Sequence, residues 1–264
     1  MHKHIVLAAF IAIGLALPAH ADTTPAPTAE QPWVKAQTLL DATLSDLSKG
    51  GIMAVAAHVS DLEQALAEAP QAIAAGHAET GTITVLTDGP TDTLIALSAA
   101  AADKNAAGRQ TVAVNNPYPP ISLYLGSYYN EIGKPEEALR VLDAGLKLYG
   151  MRGVFGVGAH RPLLISERGA ALASLKRWPE ALANYDEGLA LTGIDDRDRA
   201  RLYRGRGFAL TELGRLDEAE QAYRDSLKLD PDSKIAEGEL DYIARLRAGG
   251  AKEPGGITLP AKTP

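Results

Sequence analysis

The chain has 264 residues, of which 26 are basic and 33 acidic, so its formal net charge is −7 at neutral pH. Such a chain is a poor candidate for binding nucleic acid, because phosphates select basic surfaces. Cysteine is absent, which excludes disulfides, thiol catalysis and lipid attachment through cysteine. Stability must therefore come from packed apolar surface, for which the chain is long enough.

The first 21 residues have the layout of a cleaved secretory signal. Lys3 gives a basic start, residues 5–17 are apolar, and Ala19-His20-Ala21 supplies the small residues of a cleavage site. The apolar run is shorter than the roughly 20 residues of a membrane-spanning helix. We therefore expect an exported protein with no stable membrane insertion after cleavage. The periplasm is the expected location, and secretion is the alternative.

The ends and the first third of the mature chain differ from the rest; residues 33–70 are either a degenerate repeat or a separate helical hairpin. Residues 22–32 and 249–264 are rich in Pro and polar residues, which predicts a flexible lead-in and a disordered tail. The region 33–116 predicts a helical hairpin, 33–48 and 52–69, which we expect Pro70 to close. Two strand-like segments follow, 81–87 and 109–115, on either side of a helix that begins at Pro90. We expect the two strands to pair as a small β element.

Three later segments repeat one pattern: YLGSYYNEIGKPEEALRVLDAGLKL, ERGAALASLKRWPEALANYDEGLAL and GRGFALTELGRLDEAEQAYRDSLKL. In each, a glycine precedes an alanine by twelve residues, a large side chain follows the alanine by four, and a leucine follows by four more. The positions are Gly126, Ala138, Leu142 and Leu146; Gly169, Ala181, Tyr185 and Leu189; and Gly207, Ala219, Tyr223 and Leu227. The spacing predicts helical hairpins in which the glycine permits close approach and the large side chain fills the crossing. Such hairpins bury their apolar faces by stacking into a solenoid.

The pattern resembles the tetratricopeptide repeat (TPR) family, whose period is about 34 residues. In the third segment Tyr203, Gly214 and Pro231 match the family's first aromatic, turn glycine and terminating proline. The resemblance covers roughly residues 118 to 232. It implies a predominantly all-α helical-hairpin solenoid of about three repeats, which occupies 117–248 together with a capping helix after Pro231.

The first helices of TPR hairpins line a concave groove that holds partner peptides. The resemblance therefore places partner-binding side chains at Ser127, Asn130, Glu131, Ser166, Arg201, Arg204 and Phe208. It implies a scaffold for protein–protein interaction in cell-envelope or secretion assembly, with a protein or peptide as the partner. The lysine and asparagine constellation that holds chaperone tails in this family is absent at the matching positions.

The arginines of the third segment suggest the chemistry of the partner. Arg197, Arg201 and Arg204 are spaced to share a helix face. Because arginine forks recognise carboxylates, an acidic segment or a free C-terminus could dock there, with Phe208 as an apolar anchor. The alternative is that these arginines pair within the chain, with Asp195, Asp196, Asp198 or Glu212.

The sequence gives little support for an enzyme. No HExxH, GxSxG or acidic calcium loop is present, and the three histidines beyond residue 21 are well separated. We therefore predict no catalytic residues, no metal site and no cofactor. The alternative reading is an enzyme or small-ligand-binding protein that uses the non-repeat region 81–160. That reading requires Asp88, Asp92, His160 and Arg161 to meet in a deep cleft.

The segment GMRGVFGVGAHRP, residues 150–162, is rich in glycine and precedes a helix. It lacks the lysine and Ser/Thr of a phosphate-binding P-loop, because Ala159, His160 and Arg161 follow Gly158. It accounts for a surplus of about nine residues over the TPR period. We expect an inserted connecting loop; an anion held at the helix start is the alternative.

Overall fold

The computed structural model describes residues 31–78, 82–102, 110–151, 153–155 and 158–251. These ranges contain ten α-helices, one 3-10 helix and a three-stranded sheet. The predicted signal, nearly all of the lead-in and the predicted tail beyond residue 251 lie outside them. No helix in the described ranges is long and apolar enough to cross a membrane.

The N-terminal region is a helical hairpin, as predicted, made of α1 (Pro32–Gly50), a 3-10 helix (Gly51–Ala57) and α2 (Val59–Ala78). Helix α1 ends where Gly51 adopts a positive φ of 62°, which a glycine tolerates at little cost. The 3-10 helix then turns the chain back, so that α2 packs against α1.

The expectation that Pro70 closes the second helix was wrong, because Pro70 lies inside α2. An interior proline removes a backbone hydrogen bond and costs about 3 kcal/mol. Here the apolar stripe continues past it: Leu66, Ala69 and Ile73 are all buried in the core. Burial of this stripe offsets the lost bond and keeps the segment helical.

The β element is larger than predicted. Strand β1 (Thr82–Thr87) pairs in parallel with β2 (Gln110–Asn115), and α3 (Pro90–Ala102) connects them. This confirms that the two segments pair. A third strand, β3 (Val154–Phe155), pairs in parallel with the other edge of β1, which gives the order β2-β1-β3. The inserted loop is therefore part of the sheet, which the sequence analysis did not predict.

The sheet is covered on both faces at β1. Successive strand residues point to opposite faces, and the adjacent Val85 and Leu86 are both buried. Helices α2 and α3 both contact this strand.

Three helical hairpins follow, and their helices are α4 (Tyr118–Glu131), α5 (Pro135–Leu148), α6 (Arg161–Ser174), α7 (Trp178–Leu189), α8 (Asp196–Glu212) and α9 (Leu216–Leu229). The predicted capping helix is α10 (Lys234–Arg247), which packs on α9 and α8. The Ser233 hydroxyl caps it by accepting a hydrogen bond from Ala236 N. The solenoid predicted from the repeats is therefore the observed fold.

Close helix crossings explain the repeated glycines. A Cβ placed on Gly126 would stand 2.5 Å from the Leu142 side chain, and one on Gly207 would stand 2.9 Å from Tyr223. Gly169 faces Tyr185 in the same way. The alanines at the matching crossings are fully buried. The large side chain four residues after each alanine therefore fills the crossing, as predicted.

Candidate functional site

One surface of the array is built from the first helices of the three hairpins. Helix α4 contacts α6, and α6 contacts α8, so the three lie side by side and form a groove surface. The predicted partner-binding residues lie on them: Ser127, Asn130 and Glu131 on α4, Ser166 on α6, and Arg201, Arg204 and Phe208 on α8.

The contact between α4 and α6 is polar, and one of its side chains forms hydrogen bonds within the chain. The Asn130 amide donates to the backbone oxygen of Glu167 at 3.0 Å and to its carboxylate at 3.0 Å. Glu131 is exposed, whereas Ser127 and Ser166 are half-buried. Asn130 therefore fixes the two helices relative to each other, and it is less available to a partner than Glu131.

Arg204 is held within the chain. Its Nη1 donates to the Asp230 carboxylate at 2.9 Å and to the Ser226 hydroxyl at 3.2 Å, and its side chain is only 18% exposed. Arg204 therefore pairs within the chain, which was the alternative to partner binding. Its partner is Asp230, which follows α9, and not one of the acids of α8 that the sequence suggested. Arg204 is a structural cross-link between α8 and α9.

Arg201 is exposed, and no described residue lies within ion-pair or hydrogen-bond distance of its guanidinium. Its charge acts on Asp198: burial and the charge of Asp195 raise the pKa of Asp198, and Arg201 and Arg197 partly oppose that rise. Phe208, two turns along the same helix face, packs edge-on against Trp178 with ring centroids 5.8 Å apart. The exposed charge of Arg201 thus lies two helical turns from the aromatic pair of Phe208 and Trp178.

A second polar cluster lies at the carboxyl end of β1. The Asp88 carboxylate accepts hydrogen bonds from the Tyr149 hydroxyl at 2.5 Å, from the backbone N of His160 at 2.9 Å and from His160 Nδ1 at 2.6 Å. Asp92, in the first turn of α3, accepts from the backbone N of Gly158 at 2.9 Å. We name these residues, with Arg161, the strand-end cluster.

The electrostatics of the strand-end cluster favour a charged Asp88. Burial raises the pKa of this carboxyl, but the hydrogen bonds from His160 and Tyr149 and the charge of His160 together hold the pKa below its usual range. Burial and the Asp88 charge raise the pKa of the Tyr149 hydroxyl, so it stays a donor. The Arg161 guanidinium stacks over the Tyr149 ring, 5.8 Å from its centroid.

The backbone amides of the glycine-rich turn are occupied by the chain's own acids. Two amides that could have held an anion, those of Gly158 and His160, donate to Asp92 and Asp88. A phosphate at the same amides would have to displace two carboxylates that are each only 3% exposed. The turn is therefore a clasp that joins α6 to β1 and α3.

The residues that the alternative enzymatic reading required do gather, but they do not line a deep cleft: Asp88 is bonded to His160, Asp92 to the backbone of Gly158, and Arg161 lies over the Tyr149 ring. Asp88 and Asp92 are covered, whereas the side chains of His160 and Arg161 are partly open, at 32% and 30% exposed. A cavity of about 240 Å³ lies elsewhere, between α1, α2 and the start of α4. Tyr149 was missed in the sequence analysis; the apolar Val154 and Phe155 within the glycine run were the signal that the loop packs.

Comparisons with known proteins agree with this repeat architecture. Residues 162–232 match the model of the tetratricopeptide repeat family. A stretch of 92 residues is 34% identical to heat shock protein STI1 of Saccharomyces cerevisiae, and it covers 35% of this chain and 15% of that protein.

Two solved structures resemble parts of this chain. The first TPR domain of human RPAP3 is 26% identical, with 50% of this chain and 94% of that domain covered at a TM-score of 0.43. MamA of Desulfovibrio magneticus is 18% identical, with 81% of this chain and 86% of that chain covered at a TM-score of 0.45. Over residues 162–232, the second and third hairpins are therefore similar to the tetratricopeptide repeat family.

Proposed function

We propose that the chain is an exported scaffold that binds a segment of a partner protein in the groove formed by α4, α6 and α8. The observation that carries this proposal is Arg201, an exposed cation on the groove surface whose guanidinium has no ion-pair or hydrogen-bond partner among the described residues, although its charge is felt by Asp198. The half-buried Phe208 on α8 and Trp178 at the start of α7 offer apolar area. The scaffold serves assembly at the cell envelope.

The partner segment is acidic, or it ends in a free carboxylate. Arginine presents a planar fork of donors that matches a carboxylate, and such charge-assisted bonds are about twice as strong as neutral ones. Arg197 is also exposed one turn before Arg201, so two cations can face one acidic segment. Because Arg204 is held by Asp230, binding depends on Arg201 in the first place.

Peptide binding tests this proposal. An acidic peptide with a fluorescent N-terminus and a free C-terminus should raise its anisotropy on titration with the full chain, and Arg201→Ala should weaken its affinity about tenfold or more. The matched control is Arg224→Ala on α9, an exposed arginine that pairs with Glu220 and should leave affinity unchanged. Equal binding by wild type and Arg201→Ala would refute the groove site.

Export is tested separately. The chain expressed in a Gram-negative host should be recovered from the periplasmic fraction with Asp22 as its first residue, as mass spectrometry of the intact protein would show. Recovery of the uncleaved chain from the cytoplasm would contradict export without bearing on the groove.

A further inference from the structure

The outer face of α3 is apolar and exposed. Leu94, Ile95 and Leu97 are 55%, 45% and 39% exposed, and they are three of the most exposed large apolar side chains described. The face of α3 that meets the sheet carries Ala96 instead, which is fully buried. A helix that packs on a sheet normally shows a polar outer face, so this face calls for a covering surface.

The neighbouring strand β2 has an open edge. It pairs with β1 on one side, and no other strand among the described residues lies beside it. The backbone N of Asn116 donates to Thr87 O. Because alternate residues direct their backbone groups to opposite sides of a strand, the N–H and C=O groups of Thr111, Ala113 and Asn115 point away from β1.

This edge lacks the usual protection. Natural edge strands are blunted by charged side chains, proline or a bulge. Residues 110–115 contain neither a charge nor a proline, and residues 93–102 of α3 contain no charge either. Elsewhere the described surface is laced with ion pairs, such as Arg177 with Glu180 on α7.

We propose that this face, made of the outer edge of β2 and the exposed side of α3, is covered by the same face of a second copy of the chain. The rest of the chain carries the net charge of −7, whereas the face is neutral. A two-fold axis places neutral surface on neutral surface and open edge on open edge, which makes a self-complementary contact. A charged partner would find no counter-charge here.

The outward backbone groups fix the register of this contact. With the two-fold axis at Ala113, Ala113 of one copy lies opposite Ala113 of the other, and Thr111 lies opposite Asn115. Antiparallel residues that face each other with their backbone groups exchange two hydrogen bonds, so every outward group is used. Val112 then lies opposite Val114, apolar against apolar.

The same axis places the two α3 helices on one face of the joined sheet. Helix α3 contacts all three strands, and Ile95 and Leu97 lie on opposite flanks of the buried Ala96. In a right-handed crossover the Leu97 flank is on the β2 side. Pairing of the open edges therefore turns the Leu97 flank of each helix toward the other copy.

The contact is small. It involves one helix of 13 residues and one strand of 6 from each copy, which places its area at the low end for specific interfaces. The dimer is therefore expected to dissociate on dilution.

Cross-linking tests the register directly, because the chain has no cysteine of its own. Ala113→Cys should form a disulfide-linked dimer under mild oxidation, since opposed antiparallel residues have Cα atoms about 5.5 Å apart, within disulfide range. Ala183→Cys, an exposed position on α7, is the control for random collisions and should stay monomeric. Equal cross-linking of the two variants would overturn the proposal.

Sedimentation of the full chain tests the dimer without a cross-link. We expect a monomer–dimer equilibrium that shifts with concentration, and Leu97→Lys should weaken association about tenfold or more by burying an unpaired charge. Ala183→Lys should not weaken it. Ala113→Pro, which removes an outward N–H, should give a monomer with unchanged circular dichroism.

Two results would overturn the dimer. A monomer at every concentration would do so, and so would a dimer that Leu97→Lys and Ala113→Pro leave intact. Gain of the dimer only after removal of residues 252–264 would also contradict the proposal and would assign the face to that segment. None of these outcomes bears on peptide binding in the groove, so the two proposals can fail independently.

Discussion

Lys176 occupies a backbone conformation that suits glycine. Its φ is +57°, and it is the single non-glycine residue with positive φ among the described residues. The matching turns of the first and third hairpins carry Gly133 and Gly214, at +70° and +75°. An L-residue in this region costs about 1–2 kcal/mol. The backbone strain is confined to this turn, because the same conformation is adopted without strain by the glycines of the other two hairpins.

Replacement of Lys176 should therefore stabilise the array. Lys176→Gly removes the strain but adds unfolded-state entropy of about 0.5–1 kcal/mol, so we expect a net gain of up to about 1 kcal/mol. Gly214→Ala is the matched reverse change and should lower stability by about 1 kcal/mol. Thermal unfolding of both variants checks this; a lower melting midpoint for Lys176→Gly would contradict it.

Asp88 links stability to pH. Its pKa lies below the usual range when folded and near 3.9 when unfolded, so its stabilising contribution is present above the unfolded value. That contribution is lost as the pH falls through the folded value. Asp88→Asn should cost about 1–3 kcal/mol at pH 7, because it disturbs buried hydrogen bonds, and this cost should shrink under acid conditions.

Urea unfolding at pH 7 and pH 3 measures this difference. Asp217→Asn is the control, because its carboxylate is 97% exposed and pairs only with Arg247; little change is expected at either pH. A cost for Asp88→Asn that is the same at both pH values would show that the charge of Asp88 is not what holds the clasp.

At the scale of the elements, the hairpins are joined by close crossings and by ion pairs between successive repeats. Arg168 donates to Asp143 of the preceding hairpin at 2.5 Å, and Arg206 donates to Asp186 at 2.7 Å. Both arginines directly precede the crossing glycine. They are partly exposed, so each pair contributes little on its own, whereas the crossings bury whole side chains.

A larger side chain at a helix crossing should therefore lower the stability of the array more than the loss of an ion pair does. Ala181 is fully buried, and Ala181→Leu has no space to enter, which costs about 1–3 kcal/mol or more. Arg206→Ala should cost about 1 kcal/mol or less for its ion pair with Asp186. Comparison of the two melting midpoints tests this order, and a larger loss for Arg206→Ala would reverse it.

The repeat helices could be predicted from the sequence, whereas the β element could be predicted only in part. Gly126, Ala138 and Leu142 lie close together in the sequence, within one hairpin. Their packing can therefore be predicted from their spacing alone. Strand β3 has two residues and exists because Leu86 N and the backbone around Gly153 meet across the sheet. A strand this short shows no alternating apolar pattern in the sequence, and its pairing depends on a segment some 70 residues away.

The candidate site shows the same division. The helix face that carries Arg201 follows from spacing, and the structure leaves that residue exposed. The partner of Arg204 could not be predicted, because Asp230 lies in the next helix connection and reaches back across the hairpin. Asp88, Asp92, His160 and Arg161 of the strand-end cluster could be named from the sequence. The hydrogen bonds of the cluster, including that of Tyr149, depend on where β3 places the turn.

At the scale of the whole molecule, the chain joins a repeat array to a small α/β unit. The clasp at Asp88 and His160 ties the β1–α3 connection to the start of α6, so the α/β unit is anchored to the second repeat as well as the first. The groove surface and the face made of α3 and β2 are built from different elements. A scaffold with two such surfaces can hold a partner and a second copy at once.

Mapping of the bound peptide tests the groove most directly. Titration of the isotope-labelled chain with the acidic peptide should shift backbone amide resonances of α4, α6 and α8, with the largest changes around Arg201 and Phe208. The resonances of residues 88–92 and 158–161 should stay in place. Shifts confined to that strand-end cluster, or no shifts at saturating peptide, would contradict the account of this chain as a groove-binding scaffold.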